Sequence, residues 1–80
     1  MTEQIDRIKN KEDFIQFIKD LSSDYKEHSE QWANTTISDF LLQAASWIED
    51  YSVCPVNDIT WEKVDFQILA KILYMGKLYE

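Results

Sequence analysis

A small all-α fold, a three-helix bundle with a short N-terminal turn or arm, follows from three observations. Apolar residues recur at spacings of three and four, the signature of one face of a helix. A residue able to cap a helix, Asn or Thr, stands ahead of each such run. The 80 residues hold one Gly and one Pro, too few turn formers for a sheet of several strands. A chain this short has room for one modest core, so a single helical domain over residues 1–80 is expected.

The first helix is predicted over about 11–28. Asn10 is its N-cap, Asp13 stands at N3, and Phe14, Phe17, Ile18, Leu21 and Tyr25 line one face. Before it, residues 1–9 offer only Ile5 and Ile8 as apolar anchors, which predicts an arm or an extra turn. The second helix, about 35–51, opens within Asn34-Thr35-Thr36, where Thr36 with Asp39 imitates a capping box. Ile37, Phe40, Leu41, Ala44, Trp47, Ile48 and Tyr51 form its face, and Pro55 keeps it from continuing. The third, about 60–79, takes Thr60 as cap, with Ile59 and Val64 as a hydrophobic staple. Its apolar residues cover more than one face, the pattern of a helix central to its bundle or half-covered by a partner. Both a monomer and a homodimer are compatible with that pattern.

Several function classes are disfavoured by what the chain lacks. One His (His28) and one Cys (Cys54), placed in separate helix ends or loops, offer no designed nucleophile and base. No Cys/His pair has zinc spacing, and Glu49-Asp50 followed by Asp58 lacks the alternation and central Gly of a calcium loop. Gly76 alone cannot build a phosphate-binding loop, and the Asp-Ser-Leu of a phosphopantetheine carrier is absent. The expectation is therefore a protein that is not an enzyme, with no metal and no cofactor. No apolar run approaches the ~18 residues of a membrane span, and no secretion signal is recognisable, so a cytoplasmic location is expected. Cys54 has no second cysteine to pair with, which suits a reducing compartment. Without secretion the sequon Asn34-Thr35-Thr36 has no consequence.

Charge supplies the positive argument. Eight bases face 15 acids, a net of −7, which repels a phosphate backbone and an anionic membrane and favours a basic protein as partner. Residues 27–62 contain no Lys or Arg but hold Glu27, Glu30, Asp39, Glu49, Asp50, Asp58 and Glu62, so the whole excess is there. Glu49 and Asp50 fall in the last turn of the second helix, where the macrodipole disfavours anions. A lysine of another helix, Lys71 or Lys77, or solvent screening can compensate. The sharper alternative is an acidic docking surface of Asp39, Glu49, Asp50, Tyr51 and Asp58, combining acid and aromatic against a basic partner. Of the three tryptophans, Trp47 and Trp61 are expected in the core, and Trp32 at the corner between the first two helices.

Trp32-x-Asn34 as a cap, Phe40-Leu41-x-x-Ala44-x-x-Trp47, then Trp61 and a closing Tyr79-Glu80 resemble a small uncharacterised bacterial family of all-helical domains. The resemblance covers residues 10–80 and implies a compact helical fold with no known activity. Ala44-Ala45-Ser46 departs from the Leu-Ala that precedes the tryptophan in that family. Asn10-Lys11-Glu12-Asp13-Phe14-Ile15-x-Phe17, with Asp50-Tyr51 and Pro55, is also similar to the acidic helical immunity proteins that neutralise bacterial nuclease toxins. Their paired tyrosines are missing here. That likeness implies an inhibitory role toward a basic protein.

Overall fold

The computed structural model describes residues 2–51 and 59–80. The fold class is all-α: helices α1 (Thr2–Asp6), α2 (Lys11–His28), α3 (Ile37–Tyr51) and α4 (Phe66–Leu78), with 3₁₀ turns at Ser29–Gln31 and Trp61–Lys63. Among the described residues there is no strand. The chain divides into two units, one ending at Gln43 and the other beginning at Ala44.

In the first unit α2 begins where its cap dictates. The Asn10 side-chain oxygen accepts the Asp13 N–H at 2.7 Å, and the Asp13 carboxylate accepts the Lys9 N–H at 3.1 Å. The first bond satisfies one of the donors that a helix start leaves open, and the second ties the residue before the cap to the first turn. Lys26 and His28 in the last turn suit the negative end of the helix dipole. The N-terminal arm is the helix α1, tied to α2 by the Gln4 side-chain amide, which donates to Asp20 at 2.7 Å. Gln16, one turn before Asp20, donates to the same carboxylate at 2.8 Å.

The start of α3 lies at Ile37, two residues beyond the expected one. Thr36 supplies the cap, its hydroxyl accepting the Asp39 N–H at 3.1 Å while its carbonyl accepts from Phe40 at 2.9 Å. Of the three candidate caps Asn34, Thr35 and Thr36 the helix uses the last, and Asn34 stands outside it.

The last helix departs further. It was expected to run unbroken from Thr60, but Thr60 makes no side-chain cap bond and heads only the 3₁₀ turn Trp61–Lys63. Val64 and Asp65 are extended, and Asp65 caps α4 by accepting the Ile68 N–H at 3.1 Å. An ionised side chain is a stronger acceptor for the open donors than a hydroxyl, and it sits at the positive end of the dipole. The aliphatic staple expected of Ile59 and Val64 has no helix start to serve. The other end is closed by the Tyr79 N–H donating to Met75 at 2.9 Å.

None of the described residues is fully buried. The expectation of a core position for Trp47 is corrected: its side chain is 43% exposed. Trp61 is half-buried, with ring centroids 6.2 Å from Trp47 and 6.1 Å from Phe66, the latter pair stacked. Along α4 every residue is exposed, so its apolar surplus is left uncovered.

Asp65→Ala should cost about 1 kcal/mol of helix stability, whereas Thr60→Ala should be neutral; thermal unfolding followed by circular dichroism separates the two caps. Asp20 gives a pH signature. The Gln16 and then the Gln4 hydrogen bonds hold its carboxyl below the ordinary carboxylate value. A depressed folded pKa stabilises above the unfolded value of about 3.9, and that contribution fades as pH falls through the folded one. A carboxyl NMR titration of Asp20 should therefore show a low midpoint, raised more by Gln16→Ala than by Gln4→Ala.

Candidate partner surface

The most closely connected side chains lie at the corner between α2 and α3. The Trp32 indole N–H donates to the Asp24 carboxylate at 2.8 Å. Its ring meets Tyr25 edge-on at 5.2 Å and stacks on Phe40 at 6.2 Å. Tyr25 in turn donates through its hydroxyl to the Thr35 carbonyl at 2.9 Å. A hollow of about 170 Å³ is lined by Tyr25, Trp32, Asn34, Thr36, Ile37 and Phe40 among others. It is smaller than the ~300–1,000 Å³ of ordinary small-molecule sites, so the corner acts as a clamp between two helices.

Asp24 carries no signal in the sequence, and Tyr25 and Thr35, read there as a residue of an apolar face and a candidate cap, carry none for this corner. Their partners lie eight to ten positions along the chain, a spacing that no helical period links across a turn.

The acidic candidates are distributed along α3. Asp39 belongs to the first unit, and Glu49 and Asp50 to the second. The last turn of α3 carries no base to balance Glu49 and Asp50. Within the second unit neither Lys71 nor Lys77 is paired with either acid; Lys77 instead lies over the Tyr74 ring, 5.6 Å from its centroid. Among the described residues the one nitrogen of a basic side chain within 4 Å of a carboxylate oxygen is His28 Nδ1, 3.9 Å from Glu30. The Tyr51 side chain, Asp58 and Cys54 lie outside the described residues.

On a helix of about 3.6 residues per turn Glu49 and Asp50 fall on the side away from Ala44, Trp47 and Ile48. The helix thus pairs an acidic side with an apolar one. Trp47 and Ile48 are exposed, so both sides are open to solvent. Tyr79, at the C-cap of α4, is 84% exposed. The Trp61 indole N–H is shielded from solvent and has no hydrogen-bond partner among the described residues, an unusual state for a donor. Among the described residues no three His, Cys, Asp or Glu are grouped to hold a metal ion, and no helix is long and apolar enough to cross a membrane.

Residues 10–80 match a family of unknown function, DUF7660. The chain belongs to that family. The DUF7660 match opens on Asn10, the cap of α2, and takes in α2, α3 and α4 while leaving out α1. It spans the same residues over which the sequence resembles a family without known activity. No curated protein and no solved structure matches the chain.

Because the Trp32–Asp24 bond is only partly buried, Trp32→Phe should keep the ring contacts and lower stability by roughly 1 kcal/mol. Trp32→Ala, which also loses two ring pairs, should cost at least about 1 kcal/mol more. Urea unfolding of the two variants is the measurement.

Proposed function

We propose that this DUF7660 chain is a non-enzymatic bacterial protein-binding module of the cytoplasm, immunity-like or inhibitory, that offers an acidic surface on α3 to a basic partner. The observation that carries the reading is the uncompensated acidic end of α3. Glu49 and Asp50 sit against their own helix dipole with no paired lysine among the described residues, and Asp39 adds a third acid on a helix without a base.

Two acids in that position cost helix stability, a few tenths of a kcal/mol each, and a cationic partner would reverse the sign of that contribution. Trp47 and Ile48, exposed on the other side of the same turns, supply the apolar part once a partner wraps round the end of the helix. Charge then steers the encounter and sets its salt dependence, while apolar contact holds the complex. Tyr51 and Asp58 extend the same segment of sequence.

A lysine-rich amphipathic helical peptide is a suitable probe. Binding by fluorescence anisotropy should weaken with salt, as screening shortens the reach of exposed charges. Glu49→Lys with Asp50→Lys should reduce affinity by about tenfold, whereas Glu12→Lys with Glu80→Lys, an equal change in net charge elsewhere, should leave it within twofold. Equal losses in the two double variants would mean that bulk charge alone is being read, and the proposed surface would be wrong.

A further inference from the structure

Three aromatic rings meet at the α2–α3 corner at unequal angles. The Tyr25 and Trp32 planes are inclined at 77° with centroids 5.2 Å apart, and the Phe40 plane is within 26° of that of Trp32 at 6.2 Å. Tyr25 therefore stands steeply to both. All three line the hollow of about 170 Å³, together with Asn34, Thr36 and Ile37. At the ~30 Å³ that one water occupies, this is room for about five or six heavy atoms, the size of a trimethylammonium group and the carbon that carries it.

The electrostatics of the corner suit a cation. Aromatic faces attract positive charge within about 6 Å of the ring centroid, tryptophan most strongly. Among the described residues that line the hollow there is no Lys, Arg or His. The base of this corner, Lys26, lines a separate hollow against the same three rings, with Ile18 and Leu21. Asp24 on the Trp32 nitrogen and Asp39 in the first turn of α3 put negative charge on the two helices that form the corner. Asp39 also offsets the positive end of the α3 dipole, which Thr36 and Ile37 bring to the hollow.

Hydrogen bonding then selects the kind of cation. Asp24 accepts the indole N–H at 2.8 Å, the Thr35 carbonyl accepts the Tyr25 hydroxyl at 2.9 Å, and the Thr36 hydroxyl accepts the Asp39 N–H at 3.1 Å, so the acceptors of the corner are engaged in the fold. A primary ammonium or a guanidinium brings several N–H donors, and donors that leave water without a new acceptor cost binding energy. A quaternary ammonium has no N–H to satisfy. Its charge is spread over methyl groups, whose contact with the rings and with Ile37 adds apolar burial to the attraction.

We propose that the corner hollow is a binding site for a quaternary ammonium group, seated against the rings of Tyr25, Trp32 and Phe40 in the negative field of Asp24 and Asp39. Neither Glu49 nor Asp50 lines it, so the site stands apart from the acidic end of α3.

The test follows the three indole N–H signals of the full chain by NMR. Choline and tetramethylammonium should shift the Trp32 signal saturably and leave those of Trp47 and Trp61 in place. The neutral alcohol in which carbon replaces the choline nitrogen has the same shape without the charge, and should bind at least about threefold more weakly. Phe40→Leu, which keeps apolar volume and removes one ring, should also weaken choline about threefold. Ile37→Lys should have a similar effect by adding a base to the lining; Ile37 is 80% exposed, so helicity by circular dichroism should be unchanged. A peptide carrying trimethyllysine separates two sources of the group: binding tighter than choline assigns the site to a modified protein side chain, weaker binding to a free small cation. Equal affinity for choline and the neutral alcohol overturns the proposal, and so does plain lysine binding as tightly as trimethyllysine in the same peptide. Equal shifts at all three indoles, or no saturation below about 100 mM, would overturn it as well.

Discussion

Three side-chain oxygens, on Asn10, Thr36 and Asp65, set where the long helices begin, and the rest of the structure is arranged from those three points. With no described residue fully buried, the chain does not rely on a deep apolar interior to choose among helix registers. The choice passes to local chemistry, the first turn of each helix and the acceptor that satisfies it. Order of this kind is short in range. The widest of the side-chain hydrogen bonds described, Gln4 to Asp20, joins residues 16 positions apart. Chains dominated by near-neighbour contacts are those that fold fastest.

The α2–α3 corner shows how such a chain still fixes a turn. Ser29–Gln31 continues α2 as a 3₁₀ turn, and the Trp32 N–H closes it on the Ser29 carbonyl at 3.0 Å. The indole then reaches back to Asp24 and forward to Phe40, so one residue joins the end of one helix to the start of the next. A large amphipathic ring suits this place, because its edge carries a donor while its faces carry apolar area.

Where the sequence could be read, it was read through caps and periods. The bounds of α2 were legible because Asn10, the acids after it and a regular apolar stripe all agree. α3 was placed to within two residues, since three adjacent capping residues compete and only backbone geometry picks Thr36. The start of α4 is ambiguous in the sequence because Thr60 and Asp65 both resemble caps, and Trp61 with Val64 continues the apolar pattern through the extended pair that separates the 3₁₀ turn from the helix. The acidic character of Glu49 and Asp50 was visible in the sequence, but the absence of a paired lysine beside them needed coordinates. The Asp24 and Tyr25 contacts depend on how the chain turns after His28, and no local spacing encodes that turn. A core position is expected of Trp47 because large apolar rings usually find one; the structure leaves it 43% exposed, against the half-buried Trp61 indole.

The three tryptophans are divided between the two units, Trp32 in one and Trp47 with Trp61 in the other. Trp32 has a tyrosine ring 5.2 Å away and a carboxylate on its nitrogen, whereas Trp47 and Trp61 face each other at 6.2 Å. Excitation passing from Tyr25 to Trp32 reports on the α2–α3 corner, and coupling between the paired indoles reports on the approach of Trp61 to the end of α3. The protein therefore carries two intrinsic optical probes, and single Trp→Phe replacements would let the melting of each unit be watched without an added label.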